Sequence, residues 1–278
     1  FRKKNAVGKT KWYENISVNY SMNADNRIST LDTLLFKDDF MQQFNSGIKH
    51  YIPISSSVKV LKYFNLSNNI RYNERWYFQY YDKYWTNDTL IADGDTTVGY
   101  ITADTIHKFK TARDFSYTAS LNTKLYGILQ FKRGPVRAIR HVMTPSVSFT
   151  YRPDFAEEKW GYYKYYYTDA EQSDSTRYSI FQGNIYGSPP SGKSGNVGFS
   201  LTNNLEMKVK SKKDTITGMK KIVLIENFTL STSYNLALDS MNWSPLSLSG
   251  RTTLFKNLNV QYNGSFDMYA QDSIGTRI

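Results

Sequence analysis

Cysteine is absent from the 278-residue sequence, which excludes both a disulfide framework and a thiolate metal site. Nor does the sequence contain a run of about 18 apolar residues, the length that a membrane-spanning helix requires. The N-terminus begins Phe1-Arg2-Lys3-Lys4 and lacks the apolar core and small-residue cleavage site of a signal peptide. Together with an end at Ile278 that carries no closing signature, this start predicts an internal fragment of a longer chain.

Catalytic constellations are also missing. The three histidines, His50, His107 and His141, share no metal-ligand spacing, and the sequence has neither a serine elbow nor a cysteine nucleophile. Residues 187–194 match the letters of a phosphate-binding P-loop, but two of them are prolines, which lack the N–H donors that such a loop uses. We therefore expect a protein that is not an enzyme, with no catalytic residue, metal site or cofactor.

Positive charge is in excess, with a formal net charge of +11. Such a balance favours an anionic partner, for example nucleic acid, anionic lipid or an acidic protein. Lys and Arg occur throughout the chain, however, which indicates charge spread over loops. No nucleic-acid recognition signature accompanies them, so we expect no nucleic-acid partner.

Aromatic residues make up 16% of the chain, led by 23 Tyr, and Ser, Thr and Asn fill the intervals, a composition typical of strands and turns. Apolar and polar residues alternate with a period of two in segment after segment. Between Phe64 and Tyr80, for instance, large apolar side chains alternate with Asn, Ser, Arg and Gln. The pattern predicts nine strands, at about 12–24, 44–54, 64–80, 114–129, 147–152, 196–210, 222–237, 246–256 and 258–269.

The connections between these strands alternate in length. Long polar stretches at about 25–43, 82–113 and 153–195 are separated by shorter ones near 55–63, 130–142 and 211–221. Outer-membrane barrels have this rhythm, with long outer loops, short periplasmic turns and aromatic residues at the membrane borders. A soluble β-sandwich also alternates and is the structural alternative. We predict an all-β fold in which residues 1–278 form part of a single antiparallel transmembrane β-barrel of a Gram-negative outer membrane, about nine strands of a larger barrel.

Several cations fall on the polar side of the predicted strands, which would face the barrel lumen. A basic lumen would attract phosphorylated or carboxylated headgroups. Ordinary lining, in which acids such as Glu74, Asp114 or Glu206 neutralise the cations, explains them equally well, although Glu74 itself falls on the predicted lipid side near a loop end. The candidate headgroup contacts are Arg71, Arg75, Lys124, Arg152 and Lys208.

Residues 140–155, RHVMTPSVSFTYRPDF, resemble the LptD (OstA-like) lipopolysaccharide-assembly family, in a divergent branch. Residues 204–210 and 249–259 resemble the same branch. The resemblance implies a large barrel that transports lipopolysaccharide and inserts it into the outer leaflet, with a plug lipoprotein similar to LptE, a periplasmic Lpt bridge and outer-membrane lipid as partners. A passive porin-type channel is the alternative function.

In that family a periplasmic jellyroll precedes the barrel, and lipid leaves through a seam between the first and last strands. We expect the jellyroll and both terminal barrel strands to be absent from this sequence. Pro53 and Pro145 interrupt backbone donation within predicted strands, as prolines near a seam would, although a strand end or a bulge explains them as well.

Overall fold

The structure is a computed structural model that describes residues 11–31, 43–92, 95–211, 218–254 and 257–270. Strands dominate the described residues, and every pairing between them is antiparallel. The strands are β1 (Ile16–Val18), β2 (Ser21–Ile28), β3 (Phe44–Val60), β4 (Phe64–Tyr77), β5 (Tyr80–Ala92), β6 (Asp95–Ile106), β7 (Lys110–Asn122), β8 (Leu125–Gln130), β9 (Val136–Arg152), β10 (Tyr163–Tyr167), β11 (Ser175–Ser179), β12 (Ser194–Lys210), β13 (Met219–Asn235), β14 (Leu246–Leu254) and β15 (Leu258–Phe266). None of the helices among the described residues is long and apolar enough to cross a bilayer.

Eleven of the strands form one sheet, in the order β1-β3-β4-β7-β9-β12-β13-β14-β15. β1 and β2 both pair with β3, one after the other, and β7 and β8 both pair with β9 in the same way. β1–β2 is therefore one interrupted strand, and β7–β8 is another. The sheet thus has the nine strand positions that the alternation predicted. The strand positions of this sheet follow one another in chain order, as in an up-and-down barrel, while the β5–β6 and β10–β11 pairs lie outside it. Among the described residues no pairing joins β15 back to β1 or β2, so the sheet is open at both edges.

Two prolines explain the two broken strands. The Asn19 N–H donates to the Pro53 carbonyl at 3.1 Å, and the Thr123 N–H donates to the Pro145 carbonyl at 3.3 Å. Asn19 lies in the break between β1 and β2, and Thr123 lies in the break between β7 and β8. A residue directs its N–H and C=O to the same side of a strand. The N–H that proline lacks would therefore have pointed to the β1–β2 break at Pro53 and to the β7–β8 break at Pro145. Each proline thus lies opposite the point where the neighbouring strand is interrupted.

Three predicted connections are shorter in the structure than the sequence suggested. The stretch 55–63 belongs to β3 as far as Val60, because its serines alternate onto the polar side of the strand. The stretch 130–142 is strand from Val136, although the consecutive polar residues Arg140 and His141 mask the alternation. The stretch 82–113 contains the hairpin of β5 and β6 and the start of β7.

The two sides of the sheet differ sharply in chemistry. One side, called the polar face here, carries the odd-numbered residues of β3 and β4 and the residues that pair with them in the other strands. On the opposite, apolar face Leu121, Val147 and Phe199 stand in one row across three central strands, yet they are 38%, 44% and 39% exposed. Large apolar side chains left bare in the middle of a sheet need an apolar solvent, and a bilayer supplies it.

The turns at one end of the sheet are short, between β3 and β4, β8 and β9, β12 and β13, and β14 and β15. At the other end, the long-loop end, lie the β5–β6 hairpin and residues 153–193, which include β10 and β11 and are called the insert here. The fully buried hydrophobic residues of the described chain belong to the insert or to the strand ends that it touches. The packed core is therefore at this end.

Candidate functional site

A row of short polar side chains crosses the polar face. It follows the register of seven neighbouring strands, so each member lies directly opposite the next. Directly opposed residues of antiparallel strands share a face and lie about 5 Å apart. The row consists of Asn65, Asn122, Ser146, Ser200, Ser231, Ser247 and Ser265.

The neighbouring rows of this face are also lined with hydroxyls. The Thr118 and Thr150 hydroxyls are 3.2 Å apart, and those of Thr202 and Thr229 are 3.0 Å apart. A Cβ atom at position 198 would lie only 2.6 Å from the Ser148 Oγ, and Gly198, which has no Cβ, avoids this clash. Hydroxyl groups both donate and accept hydrogen bonds. The result is an uncharged surface that can exchange hydrogen bonds with water or with sugar hydroxyls.

Arg71 and Arg75 both lie on the polar face of β4, but their surroundings differ. Arg71 is exposed, opposite Pro53 and Ser116, and has no hydrogen bond or ion pair among the described residues. The Arg75 guanidinium is buried against the Asp114 carboxylate, and the two side chains are 10% and 9% exposed. Arg75 therefore has the environment of an acid-paired lining residue, whereas Arg71 faces open space.

The other three candidate cations lie at different levels of the sheet. Arg152, at the long-loop end of β9, donates from Nη2 to the carbonyls of Ser191 at 3.3 Å and Gly192 at 3.1 Å. Lys124 is exposed in the break between β7 and β8. Lys208 is exposed near the short-turn end of β12. The five residues do not come together in one pocket, and their role as headgroup contacts stays a prediction.

Register settles the position of two more charged residues of the sheet. Lys49 lies on the polar face directly opposite Arg75, although nothing in the sequence marked it as a candidate. Glu74 lies on the apolar face, as the alternation predicted. The Glu74 carboxylate accepts hydrogen bonds from the Tyr72 hydroxyl at 2.7 Å and the Trp76 indole at 2.9 Å. Aromatic partners of this kind are typical of the border between bilayer and water.

The insert covers the polar face at the long-loop end through an aromatic core. Its members are buried side chains from the insert and from the ends of β4 and β7, with several partly buried tyrosines around them. Tyr77 of β4 stacks on Phe181 with ring centroids 4.6 Å apart. On Gly47 of β3 a Cβ would lie 2.8 Å from the Ile185 side chain, so the insert rests directly on the strand. The buried core residues are Tyr77, Ala112, Phe155, Tyr162, Tyr178, Ile180 and Phe181.

Backbone groups of the sheet are satisfied by the insert. β7 pairs with β9 only from Tyr117 to Asn122, which leaves its first residues without that neighbour. The Tyr162 hydroxyl accepts from the Arg113 N–H there at 2.9 Å. The Tyr81 N–H donates to the Ile180 carbonyl at 2.8 Å. Because unpaired backbone groups are costly when buried, these bonds fix the insert in one position.

Polar contacts complete the attachment. The Asp82 carboxylate of the β5–β6 hairpin accepts from the Lys164 ammonium and the Tyr178 hydroxyl, each at 2.9 Å. The Lys164 ammonium holds the pKa of the Asp82 carboxyl below its usual value. Burial, with the Asp82 carboxylate, raises the pKa of Tyr178 to about 12, so this hydroxyl keeps its proton and remains a donor. The Tyr186 hydroxyl donates in the same way to Asp25 at 2.9 Å.

Metal-binding geometry is not found in the part of the chain that the structure describes. No group of three or more His, Cys, Asp or Glu side chains is placed there to hold a metal ion. The stretch with P-loop letters ends at Ser194, which begins strand β12 instead of the helix that holds phosphate in a working loop.

An open antiparallel sheet with one bare apolar face and one hydroxyl-rich face defines a segment of a membrane β-barrel. The family model described as LptD protein matches residues 1–269, and the chain belongs to that family. No curated protein and no solved structure shows a significant match. LptD proteins are outer-membrane components of lipopolysaccharide transport and are not enzymes. The all-β barrel fold and the family expected from residues 140–155 are thus confirmed.

Proposed function

We propose that this sheet is part of a translocon barrel that delivers lipopolysaccharide to the outer leaflet of the outer membrane. The observation that carries the proposal is the uninterrupted row of serine and asparagine side chains on the interior face of a barrel from this family. Short hydroxyls leave room for a bulky sugar chain and exchange hydrogen bonds with it without holding it by charge. The apolar face meets the lipid of the same membrane.

The two open edges of the described sheet support a barrel that is closed by further strands. Each edge of an open sheet presents unpaired N–H and C=O groups, which a bilayer does not satisfy. We propose that the nine strand positions belong to a single barrel domain completed by additional strands, and that the jellyroll of the family is a separate unit. A plug lipoprotein similar to LptE and the periplasmic Lpt bridge are the proposed protein partners.

Depletion of the protein tests the transport role directly. Surface-accessible lipopolysaccharide should fall as the protein is depleted and recover when the gene is re-expressed. Unchanged surface levels during depletion would contradict the proposal. A passive channel would instead conduct ions as an open pore in planar bilayers, whereas an insert that is packed over the polar face predicts low conductance.

A matched pair of substitutions tests the row itself. Ser200→Tyr places bulk in the middle of the row, and Leu201→Tyr places the same side chain on the apolar face one residue away. Ser200→Tyr should slow the appearance of lipopolysaccharide at the surface at equal protein level, while Leu201→Tyr should leave it close to wild type. Equal rates in both variants would show that the row does not line the path.

A further inference from the structure

The short-turn end of the sheet carries a free strand edge that transport along the polar face does not use. β7 pairs with β4 as far as Asn122, opposite Asn65, and β4 begins one residue earlier, at Phe64. The continuation β8 has six residues and pairs only with β9. β8 therefore extends roughly 20 Å past the turn between β3 and β4, at about 3.3 Å per residue.

The hydrogen-bonding groups on that edge are identified by the register. The Thr123 N–H donates to the Pro145 carbonyl, and the Phe131 N–H donates to the Arg137 carbonyl at 2.9 Å. Both are odd-numbered residues that bond toward β9, and in antiparallel pairing alternate residues bond to alternate sides. The even-numbered residues of β8 therefore direct their N–H and C=O groups to the free side. They are Tyr126, Ile128 and Gln130.

The edge strand is bare on both of its faces. Every residue of β8 is exposed, including Tyr126 at 63%, Ile128 at 61% and Leu129 at 63%. No described residue accepts from or donates to the outward backbone groups of the three even positions. A long apolar edge with open backbone groups is a template for another strand.

The charge around this edge is predominantly of one sign. No Asp or Glu occurs between Asp114 and Asp154, and Lys132 and Arg133 are exposed in the turn after β8. The described residues near the short turns contain three acids, Glu14, Glu206 and Glu226. Against these stand the cations Lys59, Lys62, Lys124, Lys132, Arg133, Arg137, Arg140, Lys208, Lys210, Lys220, Lys221 and Arg251.

We infer that β8 is a docking edge for a partner protein that adds an acidic extended segment as the next strand. Backbone bonds to the even-numbered residues would supply affinity, and apolar side chains of the segment would cover Tyr126 and Ile128. Carboxylates at its ends would meet Lys124 and the Lys132–Arg133 turn. A second copy of this chain fits poorly, because it would bring a like-charged edge against this one.

Peptide binding to the full-length protein in a non-ionic detergent tests the inference without any glycolipid, so its outcome is independent of the transport proposal. The probe is a labelled peptide of about nine residues that alternates valine with glutamate, followed by fluorescence anisotropy. It should bind at least about tenfold more tightly than the same peptide with lysine in place of glutamate. Equal binding of the two peptides, or a shift to dimers without peptide, would overturn the inference.

Two variants separate backbone addition from charge. Ile128→Pro removes an outward N–H and leaves the bonds to β9 intact, so it should weaken the acidic peptide by roughly tenfold or more, while Ile128→Val should not. Reversal of charge in Lys132→Glu/Arg133→Glu should also weaken binding, with Lys193→Glu at the far end as the control. Full binding by Ile128→Pro, or displacement of the peptide by phosphatidylglycerol vesicles but not by phosphatidylcholine vesicles, would show a basic lipid-binding surface instead and overturn the proposed edge.

Discussion

Removal of the Asp114 carboxylate should destabilise the protein far more than the loss of an exposed ion pair would. Asp114 is 9% exposed, contacts the buried Arg75 guanidinium and accepts from the Asn73 amide at 3.0 Å. In Asp114→Ala the Arg75 charge would stay buried without a counterion, which costs about 3–5 kcal/mol. The free energy of unfolding, measured by urea titration of the full-length protein in detergent with tryptophan fluorescence, should fall by that amount.

The double variant Arg75→Met/Asp114→Leu distinguishes this reasoning from a general loss of packing. Both charges leave together and apolar side chains of similar volume replace them, so stability should return to within roughly 1 kcal/mol of wild type. Arg140→Ala, in a pair whose arginine is 49% exposed, should cost no more than about 1 kcal/mol. If Asp114→Ala lowered the free energy of unfolding as little as Arg140→Ala does, the Arg75–Asp114 pair would be solvated and not buried.

Three other predictions concern the insert and the hydroxyl row. Gly47→Val should displace the insert and expose residues 153–193 to limited proteolysis, whereas Gly127→Val should not, because the atom nearest to its new Cβ would lie 3.9 Å away. The pKa of Asp82 is lower in the folded protein than its ordinary value of 3.8. The contribution of the Asp82 carboxylate to insert docking is therefore complete above pH 3.8 and is lost as the pH falls through the lower folded value. Proteolysis of the insert should rise in acid, and it should rise less in Asp82→Asn. Gly198→Ala should cost no more than about 1 kcal/mol in urea titration, because its Cβ would lie 2.6 Å from the Ser148 hydroxyl and force it into another rotamer, and Ser148→Gly should relieve most of that cost.

Much of the fold follows from local chemistry that a sequence displays. The alternation between Phe64 and Tyr80 specifies a strand with two unlike faces, and the nine strand positions of the sheet match nine alternating segments. Strand ends are harder to predict, because a polar strand face and a loop have similar composition. Arg140 and His141 show why: each is satisfied by a neighbouring strand, through Glu206 and Asn203, that sequence does not place beside it.

The candidate site depends more strongly on register. Alternation puts each of Ser146, Ser200 and Ser231 on a polar face, but only strand pairing aligns them into a row. Arg71 and Arg75 lie on the same face of β4 and look alike in sequence. Only the register with β7 shows that Arg75 contacts Asp114 whereas Arg71 lies opposite Ser116. From sequence the insert resembles a long polar loop, yet its aromatic residues supply the buried core, because they pack against one another and not along a periodic element.

Charge has an order along the polar face that suits passage of an anionic amphiphile. Lys208 lies toward the short turns, the serine row that crosses Ser200 is uncharged, and of the two arginines of β4 beyond the row Arg71 is exposed whereas Arg75 is neutralised by Asp114. Cations near one end raise the local concentration of an anionic molecule, whereas a uniformly basic lining would bind it too firmly to release. Introduction of Lys at Ser200 should therefore slow delivery of lipopolysaccharide even though it strengthens attraction. Faster delivery in Ser200→Lys would show that attraction, and not release, limits transport.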